Sequence, residues 1–87
     1  MASLAIQAQS IDNPFRDGVH YVTSIVNFDN DGDTVDIGER IVSAAVLPGV
    51  GQTAPTVTVS GTVATLTGGS KGKTRLTTLH TGNAAGL

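Results

Sequence analysis

Thr56-Val-Thr-Val-Ser-Gly-Thr-Val-Ala-Thr-Leu-Thr67, Gly68-Gly-Ser-Lys-Gly72 and Lys73-Thr-Arg-Leu-Thr-Thr-Leu-His-Thr81 follow one another in the last third of the chain. Two β-branched runs flank a glycine-rich turn, which predicts one β-hairpin from Pro55 to Thr81. Gly61 interrupts the first run and predicts a turn, bulge or kink there. Gly82-Asn-Ala-Ala-Gly-Leu87 then supplies a turn signal with no strand after it. A sheet that closes on the run 73–81 would present an open edge, and open edges invite another chain. The sequence therefore speaks of assembly more than of chemistry.

Working outward, Val19–Phe28 is a strong strand candidate. Its even positions (His20, Val22, Ser24, Val26, Phe28) and its odd ones (Val19, Tyr21, Thr23, Ile25) are both largely apolar, which predicts cover on both faces. Asp29-Asn-Asp-Gly-Asp33 reads as a turn and Thr34–Ile37 as a short strand. Arg40–Leu47 reads as a further strand. A helix over 39–47 is the rival, disfavoured by the Ile41-Val42 and Val46-Leu47 pairs and by Pro48-Gly49. Before all of these, Leu4, Ile6 and Ala8 alternate with polar residues, and Pro14 interrupts a linker from Ser10 to Gly18. The organisation expected is an extended N-terminal arm, residues 1–18, and a single β domain, residues 19–87. The fold class is all-β: a small Ig-like β-sandwich, or a partial one that a partner chain completes.

Composition sets limits on this design. The chain has 87 residues, including twelve Thr, ten Val and 11 Gly, with no Cys or Trp and only Phe15, Tyr21 and Phe28 as aromatics. β-Branched residues favour pleated surfaces. A domain this small has a thin core and commonly leans on disulfides, metals or oligomerisation. Without cysteine the first route is closed, so the protomer is expected to depend on assembly for its stability. No run reaches the roughly 20 apolar residues of a membrane helix, and the N-terminus lacks the pattern of a signal peptide. Synthesis in a cytoplasm is the expectation. Seven acids and one base, Arg16, precede residue 40; four bases and no acid lie at or after it, giving a net charge of −2. Such segregation suits complementary faces that meet between copies, where charge sets register and encounter.

Several residue groups invite a chemical reading. Asp29, Asp31 and Asp33 resemble a calcium loop, but neither register supplies the closing Glu or the flanking helices. They remain weak metal candidates beside the simpler reading of a solvated acidic turn. Gly72-Lys73-Thr74 imitates the end of a phosphate loop, yet Thr67 stands where its first Gly belongs, and a strand pattern follows instead of a helix. Lys71, Lys73 and Arg75 share a parity and form a basic stripe suited to an acidic protein surface; without interleaved aromatics it does not suit nucleic acid. His20 and His80 read as half-buried structural residues. No grouping supports an enzyme, a catalytic residue or a cofactor. The interface candidates are Leu4 and Ile6 on the arm together with Lys71, Lys73 and Arg75.

Gly32-Asp-Thr-Val-Asp-Ile-Gly-Glu-Arg-Ile41, Thr62-Val-Ala-Thr-Leu-Thr-Gly-Gly-Ser-Lys-Gly72 and Arg75-Leu-Thr-Thr-Leu-His-Thr81 resemble the small immunoglobulin-like fibre–tail adaptor proteins of tailed bacteriophages. That family shows an Asp-Trp near its first strand, a Leu-Ser-Gly-Gly-x-x-Gly hairpin and an Arg-Leu-Thr-like strand. Here Ile37 replaces the Trp and Thr67 the Ser, and Gly86-Leu87 stands where the family continues into a last strand. The resemblance covers the chain from Gly32 onward and leaves residues 1–31 unexplained. It implies a β-sandwich component of a virion, made in the bacterial host cytoplasm and joined to tail, fibre or major capsid protein. A symmetric homo-oligomer with no nucleic-acid or membrane partner is expected. A capsid decoration or cement protein is the alternative within the virion. A metal- or carbohydrate-binding β-module using the Asp29–Asp33 turn is the alternative outside it.

Overall fold

The computed structural model describes residues 3–12 and 19–81. Residues 13–18 of the expected linker and the turn signal at 82–87 lie outside them, whereas residues 10–12 of that linker are strand. Seven strands follow in order: β1 (Ala8–Asp12), β2 (His20–Phe28), β3 (Asp33–Asp36), β4 (Ser43–Leu47), β5 (Thr56–Ser60), β6 (Val63–Thr67) and β7 (Gly72–His80). They form two antiparallel sheets, β1-β2-β7-β4 and β3-β6-β5. There is no helix among the described residues, so the helical alternative for 39–47 falls, and no helix is long and apolar enough to cross a membrane. The all-β class stands, and the two sheets pack as a small sandwich.

Side-chain alternation explains the layers. On β2 every even residue from His20 to Phe28 is buried, and on β7 Thr74, Leu76, Thr78 and His80 are buried. The two strands pair along their full length, from His20↔His80 to Phe28↔Gly72. From the shorter sheet Val35, Ala64 and Leu66 face them, and Val26, Phe28, Ile41 and Leu76 complete the core cluster. Each large side chain here contributes on the order of 1.5–3 kcal/mol by leaving water. The odd residues of β2, Tyr21, Thr23 and Ile25, are only half-buried, so the predicted second covered face is instead an outer surface.

The predicted hairpin from Pro55 to Thr81 is not one hairpin. Gly61-Thr62 makes a two-residue turn, with Gly61 at φ 61°, and folds Thr56–Ser60 onto Val63–Thr67 from Thr56↔Thr67 to Ser60↔Val63. A positive φ at the first central residue is what a type II′ hairpin turn needs. The longer Gly68–Lys71 connection carries the chain across to the other sheet. There β7 lies between β2 and β4, with Ser43↔Leu79 to Leu47↔Arg75 on its second side. The last strand therefore has neighbours on both sides, and the open edge expected there does not exist. A nine-residue strand finds more buried partners against nine-residue β2 than against five-residue β6.

The arm also belongs to the body. Ser3 bridges Thr34 in parallel, Leu4 N–H donates to Thr34 O at 2.7 Å, and Gln7 N–H donates to Ile25 O at 2.8 Å. Strand β1 then pairs with β2 from Ala8↔Ile25 to Asp12↔Tyr21. The first described segment thus edges the short sheet, turns, and edges the long one. Constant-type immunoglobulin sandwiches set their first, second, fifth and fourth strands over the third, sixth and seventh. Here the fifth and seventh strands exchange places. The division into four and three is shared, and the threading is not.

Candidate interaction surface

Leu4 and Ile6 pack against the chain's own core as half-buried residues. These two interface candidates therefore have partners within the chain, because the arm crosses between sheets and closes one flank.

The acidic turn is engaged with its own backbone. Buried Asp33 accepts N–H bonds from Asp29 at 3.2 Å and Asn30 at 2.9 Å through Oδ2. Asp31 Oδ1 accepts from Gly68 N–H at 2.9 Å and from Lys71 Nζ at 2.8 Å. Asp29 Oδ1 accepts from Asn27 Nδ2 at 3.2 Å. The Lys71 hydrogen bond, the Gly68 N–H and the ammonium charge hold the Asp31 carboxyl below its ordinary value of 3.8. No group of three or more His, Cys, Asp or Glu among the described residues is placed to hold a metal ion. Asp33 holds its own turn closed, and Asp31 ties that turn to the one before β7.

That arrangement divides the basic stripe. Strand β7 begins at Gly72, so Lys71 lies in the turn and is not on the outward parity of the strand. Its ammonium meets Asp31 and lies 4.5 Å from the centre of the Phe28 ring. Lys73 and Arg75 do face outward. Together with Ile25, Leu47, Pro48 and Val50 they line a shallow depression on the outer face of the long sheet. Arg75 stands in a cross-strand row with Ala8, Ile25 and Leu47, and the next row is Ser10, Thr23, Thr77 and Ala45. Part of the segregated charge is thus neutralised inside the chain, and part remains on one face.

The two histidines, far apart in sequence, meet. His20 and His80 are opposite each other on paired strands, both fully buried, with rings stacked at 5.3 Å and 19°. They are more buried than their sequence context predicts. His20 Nε2 lies 2.9 Å from Glu39 Oε1. His80 Nδ1 donates to Arg40 O at 2.8 Å, while its Nε2 lies 2.6 Å from Thr78 Oγ1, whose hydroxyl also reaches Val22 O at 3.2 Å. No buried side-chain nitrogen or oxygen among the described residues lacks a partner. This polar end of the interior fastens β2, β7 and the 39–41 connection together.

One surface is marked by no single residue. From Ile41 to Ser70 the sequence contains no Asp, Glu, Lys, Arg or His. This stretch builds β4, β5 and the central β6, and β4 and β5 lie side by side as edge strands of the two sheets on one flank. Val42, Leu47, Val50 and Val59 are exposed within it. The absence of charge was legible in the sequence; that it gathers on two edges was not. Comparison with protein families, curated proteins and solved structures finds no match to this chain.

Proposed function

We propose that this chain is a non-enzymatic structural protein of a tailed-phage virion, joining or stabilising larger components as a fibre–tail adaptor. The observation that carries the reading is the uncharged flank of two edge strands, Ser43–Leu47 and Thr56–Ser60. Edge strands without charge or interior proline are templates for pairing with another chain. The outer face beside that flank offers Lys73 and Arg75 around an apolar centre, a surface that fits an acidic partner. Inside, the titratable groups His20, His80, Asp33 and Glu39 are committed to contacts within the fold. The calcium- or carbohydrate-module alternative loses support because the Asp31 and Asp33 oxygens already accept N–H groups.

The test is fractionation of particles from a lysate of the source, with heads separated from tails on a density gradient and this chain quantified in each. Enrichment with tails supports the adaptor reading. Enrichment with heads replaces it with decoration of the capsid. Absence from both overturns the virion assignment.

A further inference from the structure

Strand β5 lacks the usual protections of an edge. Charges, prolines, bulges or a covering segment normally blunt such strands. Thr56-Val-Thr-Val-Ser60 is uncharged, Pro55 precedes it, and its ladder with β6 runs unbroken. No backbone hydrogen bond from any other described element reaches it. Ser60 and Val63 close the two-residue turn as a hydrogen-bonded pair, so Thr58 and Thr56 also direct their backbone groups to β6. Val57 and Val59 therefore point N–H and C=O outward.

We propose that a second copy of this chain occupies this edge, paired antiparallel through β5 about a two-fold axis at Thr58. This rests on the structural reading above and names its partner. The strand is nearly self-complementary in that register: Thr58 faces the partner's Thr58, Val57 the partner's Val59, and Thr56 the partner's Ser60. Valine with valine and threonine with threonine or serine are favourable cross-strand pairs. The outward groups of Val57 meet those of the partner's Val59, and the reverse, as narrow hydrogen-bonded pairs. A slip of one residue would set the partner's core side against solvent. Charge agrees as well, since no ionised side chain on either strand opposes its copy. Val59 supplies a second, independent sign. It shares the core-facing parity of Val57, which packs on the core, yet is 39% exposed. The partner's Val57 would cover it. The short sheet would become a continuous six-stranded one, β3-β6-β5 joined to its symmetry mate.

Sedimentation equilibrium across the micromolar range tests the pairing, with circular dichroism melts as the control for folding. The wild type is expected to show a monomer–dimer equilibrium. Thr58→Lys and Thr58→Asp each place like charges opposite one another on the axis and should raise the dissociation constant about tenfold or more. An equimolar mixture of the two should dimerise again. Val59→Pro removes an outward N–H without touching the β6 ladder and should abolish the dimer while keeping a cooperative melt. A wild type that sediments as a monomer throughout overturns the proposal. So do charged variants that dimerise like the wild type, a mixture that fails to recover, or an unaffected Val59→Pro dimer. A monomer that still travels with particles refutes self-pairing alone, whereas a dimer absent from particles refutes the virion assignment alone.

Discussion

Replacing Gly69 by alanine should damage this protein far more than the same change one residue earlier. Both glycines sit in the connection between β6 and β7 with left-handed backbones, φ 72° at Gly68 and 69° at Gly69. Either substitution forces an L side chain into that region, at about 1–2 kcal/mol. A Cβ on Gly68 meets nothing within 4 Å, so its cost ends there. A Cβ on Gly69 would lie 2.5 Å from Pro55 N, 2.7 Å from Pro55 Cα and 2.8 Å from Ala54 C. These are backbone atoms, and Pro55 is buried at the start of β5, so the neighbour cannot swing aside as a side-chain tip would. Two hydrogen bonds hold the same junction, Ser70 N–H to Thr53 O and Thr53 N–H to Ser70 Oγ, both 2.9 Å. Overpacking of this kind typically adds about 1–3 kcal/mol. The expected gap between the two variants is about 2 kcal/mol, from a domain whose whole stability is of order 4–13 kcal/mol. In a thermal melt that is roughly 8–16 °C between them for a chain this size. Urea titration of both variants measures it. Equal destabilisation would show that the 54–55 segment does not sit against Gly69, and with it the placement of β5 would be wrong.

The Asp31 carboxyl should titrate below 3.8 in the folded protein, and Lys71→Met should move it back up, as followed by NMR of its side-chain carbon. Because its folded value is depressed, the stabilisation is present above the unfolded value and lost as pH falls through the folded one. The wild-type advantage over Asp31→Asn should therefore vanish in acid; an advantage that persists there would refute the assignment. Deleting residues 2–12 should lower the melting temperature, since it strips Leu4 and Ile6 from the core and a strand from β2; an unchanged melt would show the segment to be peripheral. Lys73→Glu with Arg75→Glu should weaken attachment to particles at low salt more than at high salt, with little change in folding, because exposed charges are screened over about 8–10 Å. Equal binding of mutant and wild type at both salt concentrations would remove these residues from the interface.

The candidate surface was only partly visible in advance. Lys71, Lys73 and Arg75 share a parity on paper, but parity holds only inside a strand, and Lys71 falls one residue before β7 begins. Its partner Asp31 lies 40 residues away across two turns, a separation no local pattern encodes. The acidic turn looked like a ligand set because carboxylates at alternate positions suit both a cation and a turn. The structure shows their oxygens accepting backbone N–H groups. The uncharged stretch from Ile41 to Ser70 is plain in the sequence. Its meaning depended on which of its strands became edges.

Local chemistry settled the elements themselves. The period-two burial of β2, the strand character of Val63–Thr67, the turn at Gly61 and the break at Pro48-Gly49 all follow from β-branching and backbone freedom within a few residues. The β-rich class and the thin aliphatic core follow from composition. What only the tertiary structure decided is the pairing of strands far apart in the chain. Adjacent runs 63–67 and 72–80 look like a hairpin, yet they part to opposite sheets because β7 matches the length and buried face of β2. His20 and His80 meet for the same reason, at the end of that ladder. An antiparallel strand has a fixed period but no label for its neighbour. The neighbour is chosen by how much apolar surface the whole sandwich buries and how completely its polar groups are satisfied, and that choice is made by the fold as a whole.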